Sequence, residues 1–480
     1  GAQAAIAPGA AAPLVAAEAA TLWGLSHVIA LEHPDLPCRR IDLDPEATAV
    51  QNRAQLLAEI WSTTPADDQI AYRQERRRVR RLAAGRRHIT HGQLQFAADG
   101  AYLLTGGLGG LGLAVAEWMV RHGARHLALF GRSAPSAAAQ ALIARLEAAG
   151  ATVRVAQGSV ASEADLGKLF AIIDQEMPPL RGVFHMAGVL DDGVLLQQNW
   201  SRFAAVMQSK VVGSWLLHQM TRERPLDHFV LFSSGASLLG SPGQSNHAAA
   251  NAFMDALAFS RQAQGLPAVS INWGAWDTGA ATKGSVTERK DIAGFSTENG
   301  LRALTEILQG QTEKPFYTQV GVVALNWQHL PDSMTTSSLL QNFKNRIRQE
   351  TRQMVRQPSV TVAAGKTLTQ QLNEAPANRR KALLLSHLRQ HAAKVLGIGQ
   401  SEEINVRQPL QDLGLDSLMA VELRNVLVES VERPLPATLL FEYPTIAELT
   451  DFLADMLLVD HKESTEPLVV AQPKEVKADA

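Results

Sequence analysis

The chain is expected to fold as an α/β protein, a doubly wound parallel sheet with helices on both faces, followed by a small all-α domain. Three features of its 480 residues carry that expectation. Between about 98 and 330, short apolar runs bounded by turn residues alternate with helical patterns, which implies a parallel sheet covered on both faces. One of those runs opens directly into a glycine-rich turn and a helix. Beyond about 378 the strand-like runs stop, and amphipathic helical patterns continue in an acidic segment.

Residues 1 to about 85 read as a small α/β unit. A helix is expected over 22–31, before Pro34, a strand over 39–43, a helix over 49–60 and a strand over 69–73. No glycine fingerprint or acid–base cluster falls in this stretch. Arg76, Arg77, Arg78, Arg80 and Arg81 form a basic run without interleaved aromatics. A solvated face or a contact with a neighbouring domain accounts for it better than a nucleic-acid site.

The apolar run 101–104 reads as a buried strand. Thr105, Gly106, Gly107, Leu108 and Gly109 come next, and a helix runs from 113 towards Gly123. Gly107, Gly109 and Gly112 fit G-x-G-x-x-G, a turn that lets the backbone approach a pyrophosphate resting on the helix N-terminus. Glycine clusters also make ordinary tight turns, so the weight lies in the neighbouring segments. A second strand, 126–130, ends in Gly131-Arg132-Ser133, where the adenosine ribose lies in a dinucleotide fold of Rossmann type. An acidic residue there would suit the free hydroxyls of NAD. Arg132 instead suits a 2′-phosphate, hence NADPH.

Further strands are expected over 152–156, 182–186, 229–232, 268–272 and 320–325. The active site should lie beyond their carboxyl ends. Ser233 and Ser234 close the 229–232 run. Lys210 lies in a helical pattern. After the turn Gly240-Ser241-Pro242-Gly243, His247 and Asn251 sit four apart on one helix face. Each alone has an ordinary role, as cap, surface cation or local hydrogen-bonder. Their joint placement around the glycine turn carries the case.

Residues 331–377 change character and read as a linker, with a polar helix over 340–355. A last unit spans 378–460. It opens with an amphipathic helix over 380–396, with Leu383, Leu384, Leu388 and Val395 as its apolar positions, and a further helix starts at Ser417. Residues 401–460 hold twelve acidic residues against three arginines and no lysine, a net charge of −9 that favours basic partner surfaces. The polar tail, 461–480, reads as a disordered linker.

The whole chain is nearly neutral, with 45 Lys+Arg against 47 Asp+Glu, so no global field points to nucleic acid. Cys38 is the single cysteine, so no intrachain disulfide forms, which fits a cytoplasmic location. No apolar run is long enough to span a membrane. The first 20 residues make a poor signal peptide, because they lack a basic stretch and carry Pro8, Pro13 and Glu18. No metal site is expected.

Several stretches together bring in a family. Residues 105–112, Gly182-Val183-Phe184-His185-Met186-Ala187-Gly188, Phe232-Ser233-Ser234, the run 243–251 and Asn272-Trp273-Gly274 resemble a ketoreductase domain of a modular type I polyketide synthase, within the short-chain dehydrogenase/reductases. Residues 1–85 resemble the later part of that family's structural subdomain, with its beginning missing. Residues 98–330 resemble the catalytic subdomain. The run 413–418, with 441–445 and Leu449, resembles the attachment site of an acyl carrier protein.

The resemblance implies NADPH-dependent reduction of a β-ketoacyl thioester. It implies Lys210, Ser234 and Asn251 as catalytic residues, with His247 where the family has tyrosine. It implies cofactor contacts from residues 105–109, Gly112, Arg132, Ser133, Ser159, Val160, Ala187 and Gly188, with Ser159-Val160 where the family has Asp-Val. It implies 4′-phosphopantetheine on Ser417, a phosphopantetheinyl transferase to load it, a polyketide acyl chain, and neighbouring synthase domains as partners. Leu190-Asp191-Asp192 resembles the fingerprint of B-type members, which set D-hydroxyls. Leu239 stands in place of the A-type tryptophan, and Ala249 in place of the proline of epimerising members. Phenol titrates near ~10 and imidazole near ~6.5, so a protonated His247 is a candidate acid, opposed by the like charge of Lys210. Two functions stay open: an active reductase fused to its carrier, or a reductase fold acting as scaffold beside a working carrier.

Overall fold

The computed structural model describes residues 16–34, 36, 38–62, 67–85, 93–277, 292–309, 317–327, 330, 334, 337–345, 368, 372, 374–396, 398, 404–415, 417–431, 433, 435–436 and 439–458. The chain divides into two compact units, 1–362 and 363–480. The expected tail and most of the expected linker lie outside the described residues.

The first unit opens with α1 (Ala17–Glu32), β1 (Arg40–Asp42), α2 (Ala49–Ile60), β2 (Gln69–Arg73) and β3 (Arg76–Val79). β1 pairs parallel to β2, and β2 antiparallel to β3. Arg76, Arg77 and Arg78 therefore lie on a strand, which an apolar-alternation rule cannot see. Gln74 and Glu75, at φ 50° and 63°, make the two-residue turn between the strands. Asp44 accepts the Gln74 N–H at 2.6 Å. Two of the arginines are paired within the chain: Arg77 meets Glu59 at 2.6 Å and Asp67 at 3.0 Å, and Arg81 meets Asp67 at 2.6 Å.

The main sheet is built from β4 (Ala101–Thr105), β5 (His126–Gly131), β6 (Thr152–Gln157), β7 (Leu180–His185), β8 (His228–Ser234) and β9 (Val269–Trp273). After the short β10 (Trp276–Asp277), β11 (Ile292–Ala293) and β12 (Phe295–Ser296), β13 (Gln319–Val322) completes it. The 320–325 run splits, and its end is the short β14 (Ala324–Leu325). The order is β13-β9-β8-β7-β4-β5-β6, with every pair parallel. All five residues of the central β4 are buried, as a strand covered on both faces requires.

Helices α3 (Gly110–Arg121), α4 (Ala137–Ala148), α5 (Glu163–Glu176), α6 (Trp200–Met207), α7 (Gly213–Thr221), α8 (Gly235–Leu239), α9 (Ser245–Ala263) and α10 (Thr297–Gln309) connect the strands. α5 shows the local logic. Ser162 caps it by accepting the Asp165 N–H at 3.2 Å, and Leu166, Leu169, Phe170 and Ile173 form its buried stripe.

α1 belongs to this unit because it packs on α9. A Cβ on Gly24 would sit 2.3 Å from the Ala248 carbonyl oxygen, so the two backbones approach too closely for any side chain there. Where a polar helix over 340–355 is expected, the described residues form a 3-10 turn, Ser338–Phe343, and turn helical at 344–345. Residues 346–355 lie outside the described residues.

The second unit is helical: Ala377–Leu396, Ser417–Val431, Leu439–Glu442 and Ile446–Leu458, with a 3-10 turn at Leu410–Leu413. Leu384, Leu388, Leu423, Leu427, Leu449 and Leu453 are buried together in its core. Leu383, expected on the apolar face, is 37% exposed. Thr445 and Glu448 make a reciprocal cap on the last helix: Glu448 accepts the Thr445 N–H at 3.1 Å, and the Thr445 hydroxyl accepts the Glu448 N–H at 3.2 Å. No described helix is long and apolar enough to cross a membrane.

Candidate active site

The sheet order reverses between β4 and β7, which places a crevice beyond their carboxyl ends. Gly106 follows β4 with φ +73°, and a Cβ there would lie 2.9 Å from the Ala187 nitrogen after β7. A Cβ on Gly112 would lie 2.3 Å from the Gly106 carbonyl oxygen, so α3 packs directly on the turn. Gly109 caps α3 without any side-chain bond to its first N–H groups, and a Cβ on Gly109 would meet nothing closer than 3.5 Å. Bare N–H donors at a helix N-terminus, beside an open backbone, suit an anionic phosphate. Arg132 and Ser133 are exposed just past β5, on the same edge of the sheet.

Ser159 follows β6. Its N–H donates to Asp165 at 2.9 Å, and its hydroxyl accepts the Ala161 N–H at 3.3 Å. Val160 is buried against Gly213. Ala187 is partly buried and Gly188 exposed.

The expected catalytic residues come together at the end of β8. Lys210 lies on a π-helical turn, Gln208–Val212, between α6 and α7 rather than on a regular helix. It is 6% exposed, and its ammonium donates to the Phe232 carbonyl on β8 at 3.1 Å. A Cβ on Gly188 would approach the Lys210 Cε to 3.1 Å, so the lysine borders the glycine crevice. Ser234 ends β8 and caps α8 by accepting the Ala236 N–H at 3.1 Å. Asn251, fully buried, donates to the His247 backbone carbonyl at 2.8 Å on α9. The Ser233 hydroxyl donates to the Asn251 carbonyl at 3.3 Å, tying α9 to the strand end.

Burial lowers the Lys210 pKa to about 8, opposed by the negative charge of Asp255. Burial, and then the Lys210 charge, lower the His247 pKa to about 3. His247 is partly buried, and its Nδ1 is sealed from solvent with no hydrogen-bond partner among the described residues. The imidazole is therefore neutral at pH 7. This corrects the expectation of a protonated histidine acid, because sequence position does not reveal desolvation. His185, bonded to the Thr105 hydroxyl at 2.7 Å, is likewise lowered to about 3 by burial and then by Lys210.

Leu190 is 48% exposed. Arg202 donates to Asp191 at 2.7 Å, and Gln244 donates to Asp192 at 3.0 Å. Burial raises the Asp192 pKa, opposed by the Gln244 bond.

Sequence reasoning missed the support behind Ser234. Asp255, buried on α9, accepts from Ser270 at 2.6 Å, Ser237 at 2.7 Å and Asn272 at 2.8 Å. Asn272 also donates to the Ser234 carbonyl at 3.1 Å. The signal was present: Asp255 comes eight residues after His247, and Asn272 lies in one of the stretches that carry the family resemblance. Ser417 begins the second helix of the carrier-like unit. Among the described residues no cluster of three or more His, Cys, Asp or Glu could hold a metal ion.

A parallel sheet with a glycine turn at its switch point, and Lys210, Ser234 and Asn251 near the neighbouring strand end, is the arrangement of a doubly wound nucleotide-binding fold. Known proteins narrow it. Residues 100–278 match the KR domain family, and residues 386–453 match the phosphopantetheine attachment site family. The chain is 37% identical over 384 residues to mycoketide-CoA synthase of Mycobacterium tuberculosis, covering 78% of this chain and 9% of that protein. It is 35% identical over 450 residues to the spectinabilin polyketide synthase system protein NorA of Streptomyces orinoci, covering 92% and 23%. The chain thus spans less than a quarter of either synthase. Among solved structures, one described as A-type ketoreductases from a modular polyketide synthase is 35% identical, with TM-score 0.63, over 68% of this chain and 69% of that one. The chain belongs to the ketoreductases of modular polyketide synthases, β-ketoacyl-reducing oxidoreductases, here joined to a phosphopantetheine-binding domain. That family membership implies a nicotinamide cofactor and a covalent phosphopantetheine.

Proposed function

We propose that this chain reduces a β-ketoacyl thioester to the β-hydroxyacyl thioester with NADPH, on a polyketide chain carried by phosphopantetheine on Ser417. The observation that carries the reading is the joint placement of Lys210, Ser234, His247 and Asn251 around the end of β8, beside the glycine crevice. NADPH supplies the hydride. The backbone of residues 105–109, Gly112 and the α3 N-terminus hold its pyrophosphate. Ser159, Val160, Ala187 and Gly188 border the nucleotide, and Arg132 with Ser133 holds the 2′-phosphate. Ser234 and a ring N–H of His247 hydrogen-bond the ketone oxygen as it gains charge. Asn251 fixes the His247 backbone. The Lys210 ammonium, with a pKa of about 8, supplies positive charge and the proton for the alkoxide.

Leu190, Asp191 and Asp192 set the approach of the ketone, giving the D-alcohol of B-type members. Matched structures include A-type and C2-type ketoreductases, so overall likeness runs across types and this segment carries the assignment. Incubation with NADPH and a small β-ketoacyl thioester is expected to consume NADPH and give mostly the D-alcohol. Mostly L-alcohol on chiral chromatography would overturn the B-type reading.

Arg132→Ala is expected to cut the preference for NADPH over NADH by about ten- to a hundredfold, the weight of a lost charge-assisted bond. Competing cofactor titrations measure it. The carrier makes a separate expectation. With coenzyme A and a promiscuous phosphopantetheinyl transferase, the chain gains one phosphopantetheine by intact mass, and Ser417→Ala gains none.

One observation favours a second reading, a scaffold beside a functional carrier: the neutral His247 stands where the family has tyrosine, with its Nδ1 unpartnered among the described residues. The two readings part on the activities of His247→Phe and His247→Tyr.

A further inference from the structure

Glu32 is the last residue of α1, far in sequence from every residue placed in the site. It is 6% exposed, with no arginine or lysine bonded to its carboxylate among the described residues. Instead one oxygen accepts the Leu195 N–H at 2.7 Å, and the other accepts the Gly243 N–H at 2.7 Å. Those two amides belong to two segments that carry residues of the proposed site. Leu195 comes three residues after Leu190-Asp191-Asp192, and Gly243 precedes His247 by four.

The segments are also joined to each other. Gly193 N–H donates to the Gly243 carbonyl at 2.7 Å, and Gly193 and Gln244 form an isolated parallel bridge. Gln244 reaches Asp192, and Asn246 donates to the Asp191 carbonyl at 2.8 Å. α1 is seated firmly enough to act as an anchor. Gly24 touches Ala248, and a Cβ on Gly240 would lie 3.1 Å from the His27 carbonyl oxygen.

We propose that Glu32 is a positioning residue for substrate approach: its carboxylate clamps the segment carrying Leu190, Asp191 and Asp192 to the turn that leads into His247, and so fixes which face of the ketone is presented. Burying a carboxylate is costly unless strong donors satisfy it, and short charge-assisted bonds to two backbone N–H groups do so. Among residues of the same length, none replaces this pair of acceptors. Glutamine offers one acceptor oxygen and turns an NH₂ group on the second amide. The stereochemical half of the proposal rests on the reductase reading; the clamp itself does not.

The test uses the full chain and the Glu32→Gln variant, with two readouts. Hydrogen exchange monitored by mass spectrometry is expected to show the 191–196 and 241–245 segments exchanging about tenfold faster or more in the variant, with the β4–α3 turn unchanged and NADPH affinity within about twofold. On a small β-ketoacyl thioester, the fraction of minor alcohol is expected to rise about tenfold, whichever alcohol the native chain makes, with KM raised more than kcat is lowered. Unchanged exchange in both segments overturns the clamp. Faster exchange with an unchanged product ratio overturns its stereochemical role. If the native chain shows no turnover, the reductase reading fails while exchange still decides the clamp. If Glu32→Gln does not fold, Leu195→Pro deletes one donor at the first position of its 3-10 turn and is held to the same outcomes.

Discussion

Lys210→Met is expected to lower kcat/KM for ketone reduction by about 10²–10⁴-fold, the range for losing a positioned acid. The substitution keeps an apolar stem of similar length and deletes the charge and its donors. Burial has already brought the ammonium pKa down to about 8, so it gives up a proton far more readily than an exposed lysine. Activity that needs this ammonium is present below about pH 8 and lost above it. The variant should therefore lose the alkaline limb along with the rate. Its thermal stability should not fall in step, because removing a buried cation also removes a desolvation cost. A second signature is independent of turnover. The Lys210 charge is one of the two causes holding the His247 pKa down, so in Lys210→Met that pKa rises, measurable by NMR of the ring.

His247 gives the second large effect. His247→Phe removes both ring nitrogens and is expected to lower kcat about 100-fold or more, while His247→Tyr restores a family donor and matches or exceeds the native rate. The comparison is clean because Asn251 bonds the backbone carbonyl of residue 247, which every variant keeps. Cofactor affinity should be unchanged in all three proteins. If native and Phe proteins are equally inactive while Tyr reduces the ketone, the domain is a scaffold.

Much of the local structure around the candidate site was legible because it rests on local pattern. Glycines at 107, 109 and 112 between an apolar strand and a helix are a local requirement, and so are β-strand ends carrying Ser233 and Ser234. The helix expected to start at Ser417 does start there. Contacts between distant segments escaped. Glu32 meets amides 163 and 211 residues away, and no pattern near Glu32 announces them. The strand β3 was hidden by its own arginines, of which Arg77 pairs with the distant Glu59 of α2 and with Asp67. The charge state of His247 was misjudged for the same reason. An isolated imidazole titrates near ~6.5, and only the packing of α9 against the lysine turn shows how far burial moves it.

The central claim is that the chain is a working reductase in which a neutral His247 donates a hydrogen bond and Lys210 provides charge and proton. The pH dependence of kcat/KM from about 5 to about 10, with NADPH and a β-ketoacyl thioester, tests it most directly. Such a reductase gives measurable turnover, a plateau through about pH 6.5 with no inflection from a histidine, and about a tenfold fall per unit above about 8. Activity that instead falls as pH rises through about 6.5, or no turnover at any pH under conditions where His247→Tyr reduces the same ketone, contradicts it.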